Sequence, residues 1–354
     1  MINYGNDNKS AVQAKFDAQK IAFGPIMFQA AKALRDFGIL DYLLKHRKGD
    51  SIENIAKELD MSVYGVKVLL EAGLSLEMVM VEDSIYKISK TGYFIAKDEL
   101  TRVNMNFTHD VNYLGFFDFH NSIKEGKPTG LKTFGDWDTV YEGLSQLPED
   151  VKKSWFDFDH FYSDTAFPEI MEIVFKQAGR KLMDVGGNTG KFSIKCAGFN
   201  DNIKITILDH PGQTAVADKN IAEAGFSDRI DTFSLNLLDA SIPFPKGYNT
   251  IWMSQFLDCF SKEEILTLLQ RAYDALDEDG SLFILETYWD RQKYEASTYS
   301  LHATSLYFTN IANGNSQMYH AEDMIELIDK ANMKVVNDYD NIGVSHTLFE
   351  VKKK

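Results

Sequence analysis

The stretch Leu182-Met183-Asp184-Val185-Gly186-Gly187-Asn188-Thr189-Gly190-Lys191-Phe192-Ser193 constrains the fold of this chain more than any other. Its apolar run from Leu182 reads as a strand, and the amphipathic pattern after Phe192 reads as a helix. Between them lie three glycines spaced G-G-x-x-G. Glycine turns tightly and, lacking a Cβ, lets a ligand approach the backbone. Amides at the start of the following helix then point at that ligand. Two details narrow its chemistry. No Gly-Lys-Ser/Thr ending follows, which argues against a triphosphate cradle. Asp184 precedes the first glycine, and a carboxylate there repels phosphate but suits an ammonium or a hydroxyl. A second apolar run, residues 203–208, ends in Asp209. An acid at the tip of a second strand is where paired hydrogen bonds grip a ribose diol.

Before this stretch the chain reads as largely helical. Val12, Phe16, Ile21, Phe28, Ala31, Leu34, Phe37 and Leu40 suggest helices, broken at Gly24-Pro25. Ser51 caps a helix over residues 52–59, Met61-Ser62 turns the chain, and residues 63–74 form a second helix. Residues 79–88 read as a hairpin around Glu82-Asp83-Ser84. Helix, turn, helix and hairpin describe a winged helix. Its second helix carries Lys67 but also Glu71, and the whole chain has a net charge of −15. Base readout wants Arg, Asn or Gln on an exposed face, so no nucleic acid is expected as a partner. Residues 107–120 are aromatic and read as helical, and residues 127–130 and 134–137 as loops.

Two cysteines, Cys196 and Cys259, make neither a metal-type pair nor a disulfide framework. The first ten residues are polar, and no run of about 18 apolar residues occurs, so neither a signal peptide nor a membrane span is expected. The expected location is cytoplasmic, with no metal and no membrane partner.

Asp-Val-Gly-Gly-x-x-Gly with an acid at the next strand end resembles the class I S-adenosylmethionine-dependent methyltransferases. More closely, it is similar to the small-molecule O-methyltransferases of the plant caffeic-acid and animal hydroxyindole (acetylserotonin) type, which have bacterial members. The resemblance implies an α/β fold: a Rossmann-like methyltransferase domain over 167–354, preceded by a mostly helical winged-helix dimerisation domain over 1–100. Residues 101–166 become a helical linker that contributes to the substrate pocket. It also implies a homodimer, S-adenosylmethionine as cofactor, and a small-molecule substrate.

Carried onto this chain, the cofactor positions are Asp184, Gly186, Gly187, Gly190 and Asp209, with Ser254 and Gln255 at the end of the fourth strand. The family's acid beside the adenine falls on Leu237, where Asn236 or Asp239 stands in and Leu238 packs on the base. The family pattern Leu-His-Asp-Trp-Ser-Asp-Glu aligns with Leu257-Asp258-Cys259-Phe260-Ser261-Lys262-Glu263. Asp258 therefore occupies the position of the histidine base, and Ser254 that of a family lysine. Glu286, ending the fifth strand, matches a glutamate that orients the base, while the second such glutamate falls near Ser316. Asp258 and Glu286 are the catalytic candidates, the alternative for Asp258 being a cap for the helix at Ser261. Trp155, His160, Phe161, His302 and Tyr319 are expected around the substrate, with His320 in the same closing segment.

Methyl transfer asks the protein to align an oxygen with the methyl carbon and to accept the oxygen's proton. An aspartate serves once desolvation raises its pKa. The function implied is methylation of a hydroxyl on an aromatic or polyketide-like molecule. C- or N-methylation, a non-methylating relative that keeps the cofactor, and a ligand-sensing winged-helix regulator are the alternatives.

Overall fold

A computed structural model describes residues 4–164, 166–177 and 181–354. The chain divides between Val111 and Asn112 into two compact units. The first opens with helices Ala11–Ala22, Gly24–Asp36 and Ile39–Lys45. Pro25 lies in the first turn of the second helix, where its missing N–H costs no hydrogen bond, so the expected break falls at Phe23. Helices Ile52–Glu58 and Val63–Ser75 follow, capped by the Ser51 and Ser62 hydroxyls. Strands β1 (Val79–Glu82) and β2 (Ile85–Ile88) pair antiparallel. Asp83 and Ser84 between them both have positive φ, as a two-residue hairpin turn demands. Leu34, Leu40, Leu43, Ile55, Val66 and Leu70 form this unit's core. Helix Ala11–Ala22 buries none of its residues, and Val12, Phe16 and Ile21 stand exposed with Phe23 and Ile26 after it.

The second unit holds a seven-stranded sheet. Its strands are β3 (Lys181–Val185), β4 (Lys204–Asp209), β5 (Ile230–Ser234), β6 (Tyr248–Ser254), β7 (Leu276–Glu286), β8 (Met333–Ile342) and β9 (His346–Lys353). They lie in the order β5-β4-β3-β6-β7-β9-β8. The first five are parallel, and β9 and β8 add an antiparallel edge in which Val335 pairs with Val351 and Tyr339 with Leu348. This is the mixed sheet expected of the class I methyltransferase fold. Strand order reverses between β3 and β6, and in such sheets ligands bind at the carboxyl ends of the strands at this reversal. The sheet is buried on both faces, by Met183, Ile251, Met253, Leu282 and Ile284 in one core and Leu182, Ile205, Ile207, Trp252 and Phe283 in the other.

The aromatic stretch 107–120 is helical but broken: a π turn at Phe107–Asn112, a 3-10 turn at Gly115–Asp118, then a helix from Phe119. Thr129–Thr133, read in part as loop, forms a 3-10 turn. No helix among the described residues is long and apolar enough to cross a membrane.

Candidate active site

The glycine turn sits at the carboxyl end of β3. Gly186 (φ +75°) donates its amide to the Leu208 carbonyl, and a Cβ there would collide with the Phe256 ring. At Gly187 a Cβ would lie 2.8 Å from both Asp184 Oδ2 and Ile207 Cγ2. Gly190 (φ +78°) starts helix Lys191–Phe199 from the left-handed region. Side chains are thus excluded at all three positions by packing or dihedral, which leaves a bare backbone cradle. Asp184 is buried and accepts the Ser193 hydroxyl at 2.6 Å. Burial pushes its carboxyl up to about 7.

Asp209 ends β4, almost fully buried. Its Oδ2 accepts the Asn188 amide at 2.8 Å and its Oδ1 the His210 amide at 2.7 Å. Burial raises its pKa and the two amides oppose the rise. Each oxygen keeps a second lone pair for a ligand hydroxyl. The same carboxylate therefore braces the glycine turn through Asn188 and offers acceptors beside it.

After β5 the chain presents Asn236, whose Oδ1 accepts the Leu238 amide at 2.9 Å, and Leu238, which is 46% exposed. The Leu237 side chain instead joins the core. Its carbonyl is gripped by the Arg271 guanidinium, which also binds the Ile242 carbonyl and lies over the Phe244 ring. The sequence reading missed Arg271. Its signal was a cation three residues after Leu268 and four before Ala275 on the core face of helix Lys262–Ala275. Asp239 bonds Ser241 and holds the loop's own turn.

Beyond Ser254 the backbone takes a positive φ at Gln255, whose amide reaches the Leu285 carbonyl at 2.9 Å. Phe256 follows against Gly186, then a 3-10 turn, Leu257–Cys259, that carries Asp258. This turn is held from both sides. Glu286 Oε1 accepts the Phe256 and Leu257 amides at 3.0 and 2.8 Å. Asn313 Nδ2 donates to the Cys259 carbonyl, and Tyr319 Oη donates to that of Phe260 at 2.6 Å. Ser316 accordingly has a different task from the glutamate expected near it: its hydroxyl donates to Asn313 Oδ1 at 2.9 Å. Asn313 carried no motif and was not singled out from the sequence. Helix Lys262–Ala275 is capped by Ser261 and Glu264 in a reciprocal box, so Asp258 is not its cap.

Asp258 is buried, and burial together with the neighbouring Asp159 carboxylate raises its pKa. Burial and Asp258 hold the Glu286 pKa well above the carboxylate range, and Glu286 Oε2 has no hydrogen-bond partner among the described residues. Trp155, on helix Glu149–Asp164, donates its indole N–H to Tyr307 Oη at 2.7 Å. Asp159, His160 and Phe161 lie on the same helix, with His160 5.7 Å from the Phe156 ring and Phe161 edge-on to Tyr162. His302 is on the exposed side of helix Glu295–Tyr307 with its ring 5.0 Å from Trp289. His320 caps helix Ala321–Lys330, accepting the Glu322 amide on Nδ1. No group of three or more His, Cys, Asp or Glu that could hold a metal occurs among the described residues.

The donor set fits S-adenosylmethionine. A bare glycine cradle admits close approach, the braced Asp209 suits a diol, and the buried acids Asp184, Asp258 and Glu286, whose ionisation a positive charge would favour, suit a cation over a phosphate.

Comparison with known proteins agrees. Residues 15–86 match the Dimerisation2-like domain and residues 161–333 the O-methyltransferase domain. The L-tyrosine C(3)-methyltransferase of Streptomyces lavendulae is 28% identical, over 75% of this chain and 73% of its own length. The apo S-adenosylmethionine-dependent methyltransferase SibL superposes with a TM-score of 0.73 at 23% identity, covering 94% of this chain and 98% of its own. The O-methyltransferase NcsB1, crystallised with S-adenosylmethionine and 2-hydroxy-5-methyl naphthoic acid, gives 0.65 at 15% identity, covering 92% and 96%.

Asp184 yields a pH test of the buried acid. Its folded pKa of about 7 exceeds the unfolded value of about 3.9, so the native state binds the proton more tightly. The group's cost is absent below pH 4, grows as pH rises to 7, and is constant above. In the cofactor-free protein, Asp184→Asn should raise the melting temperature more at pH 8 than at pH 5. An equal gain at both would contradict the burial account.

With the two domains, the sheet order and the carboxyl-edge cradle in agreement, the chain belongs to the family of S-adenosylmethionine-dependent methyltransferases that join a dimerisation domain to an O-methyltransferase domain.

Proposed function

We propose that this enzyme methylates a phenolic small molecule, with Asp258 as the base that takes the acceptor's proton. The observation that carries this reading is a buried, raised-pKa carboxylate on a clamped turn whose Phe256 packs on the glycine cradle. Gly186, Gly187, Gly190, Asp209 and the Asn236-Leu238 loop hold the cofactor in this reading, with Asp184, Ser254 and Gln255 beside them. S-adenosylmethionine supplies, when bound, a methyl group activated by a sulfonium.

A phenol's pKa of about 10 is closer to a raised aspartate than to an ordinary one, so proton transfer is less uphill here than in water. Glu286 acts through the backbone: by accepting the Phe256 and Leu257 amides it fixes where Asp258 points. Trp155, Tyr307 and Tyr319 provide flat walls for an aromatic ring, and burial keeps water away from the reacting atoms.

Oxygen is the acceptor in the leading reading, in keeping with the O-methyltransferase domain. The Streptomyces lavendulae relative favours a second. Its named position, C(3) of tyrosine, is ortho to the phenol. Taking the phenol's proton also makes that carbon nucleophilic, so one base serves either outcome and alignment decides. Asp258 then returns its proton to the oxygen as the methylated ring carbon releases its own proton to solvent, which restores the aromatic phenol. Incubation with L-tyrosine and simple naphthols, followed by proton NMR of the product, separates an O-methyl from a ring-methyl signal.

We further read the first unit as a winged-helix dimerisation module of a cytoplasmic homodimer that does not bind nucleic acid. The support is the uncovered apolar surface of Val12, Phe16, Ile21, Phe23 and Ile26, along with the net charge of −15. Light scattering should give twice the chain mass, and Phe16→Glu with Ile21→Glu should shift it toward monomer. A monomeric wild type would contradict this.

Two substitutions test the site. Asp209→Ala removes the diol acceptor and the brace on Asn188, and calorimetry should find cofactor affinity reduced at least about tenfold, since hydrogen bonds to charged groups contribute about 1.5–3 kcal/mol. Equal affinity would remove Asp209 from the cofactor site. Asp258→Asn keeps shape but not basicity, and single-turnover methylation should slow by about 10²–10⁴ with cofactor affinity retained. An unchanged rate would leave Asp258 without the base role.

A further inference from the structure

A fully buried carboxyl among aromatic rings tends to keep its proton, and a base that is already protonated accepts none. Asp258 therefore needs a local donor that favours its ionised form. Cys259 supplies one: its Sγ lies 3.5 Å from Asp258 Oδ1 with the thiol as donor. That sulfur in turn accepts the Tyr141 hydroxyl at 3.0 Å. Burial pushes both the Cys259 thiol and the Tyr141 phenol well above their ordinary pKa values, and Asp258 pushes both further. Both therefore stay protonated at neutral pH, which fixes the direction of the chain: Tyr141 donates to Cys259, and Cys259 to Asp258. Donors arranged in series polarise one another toward the charge at the end.

We propose that Cys259 and Tyr141 are positioning residues for the base, forming a one-way donor chain that steadies the Asp258 carboxylate in its proton-accepting form. This rests on the reading of Asp258 as base, but it predicts a property of Asp258 that is measurable without any acceptor. The Cys259 carbonyl is already held by Asn313 and its turn by Glu286, so the backbone places the thiol independently of Tyr141. Removing the S–H should raise the pH at which Asp258 ionises. A thiol is a weak donor, so its bond to the carboxylate contributes the ordinary value of about 0.5–1.5 kcal/mol, or about 0.4–1 pH unit.

The test is an infrared pH titration of the full-length protein with S-adenosylhomocysteine. The protonated-carboxyl band of Asp258 is the one missing from Asp258→Asn, and the S–H band of Cys259 is the one missing from Cys259→Ala. The following results are expected. The Asp258 midpoint moves up by about 0.4–1 unit in Cys259→Ala, less in Tyr141→Phe, and back toward wild type in Cys259→Ser. The Cys259 S–H band shifts to lower frequency as Asp258 ionises, and that shift vanishes in Asp258→Asn. An Asp258 midpoint unmoved in both Cys259→Ala and Tyr141→Phe, or an S–H band indifferent to pH, would overturn the chain. Loss of the base role is read separately, from an unchanged methylation rate in Asp258→Asn. That result would remove the catalytic purpose of the chain even where the infrared shifts are found.

Discussion

One carboxylate oxygen ties the two halves of this site together. Glu286 Oε1, at the end of β7, accepts the Phe256 and Leu257 amides that leave β6. These two amides open the turn after β6, and with no strand partner they would be costly to bury unpaired. Satisfying them from Glu286 fixes the path of the next three residues. Phe256 then falls against Gly186, and Asp258 is delivered one residue beyond Leu257. The glycine cradle on β3 and the candidate base after β6 are thus linked through one carboxylate oxygen between neighbouring strand ends.

The electrostatics follow from the same crowding. Asp184, Asp258 and Glu286 are buried, and the causes of their raised pKa values include no cationic side chain. Such an arrangement costs stability in the free protein, and the cost falls when a cation arrives. A sulfonium cofactor with an ammonium tail is that kind of ligand. The site therefore trades folding stability for affinity to positive charge and for a carboxylate whose basicity is raised. The Tyr141–Cys259 chain moderates this, because without a donor the burial that makes Asp258 basic would also keep it protonated.

Local signals in the sequence carried most of the fold. The glycine spacing, the apolar runs before Asp184 and Asp209, the Ser51 cap, the Met61-Ser62 turn and the break before Pro25 each act within a few residues, and each is found where the spacing puts it. What escaped was long-range. Asn313 reaches Cys259 across 54 residues and Arg271 reaches Leu237 across 34, and no periodicity reports such contacts. Alignment to a family pattern also carried over positions without their environments. His302 lies on an exposed helix face, Leu237 packs into the core, and Ser316 supports Asn313 in place of a glutamate. The pattern gave Asp258 and Glu286 as a base and its partner. The geometry has Glu286 brace the backbone of the Asp258 turn, and Cys259, which no pattern singled out, bonds the Asp258 carboxylate.

The central claim is that the cradle and the Asp258 turn face one reacting centre. A crystal structure of the complex with S-adenosylhomocysteine tests it most directly. The account predicts the ribose diol on Asp209, the sulfur over the Gly186-Gly187 turn, and the Asp258 carboxylate facing that sulfur across space for one aromatic ring. A product molecule bound away from the glycine turn, or an Asp258 side chain directed away from the sulfur, would contradict it.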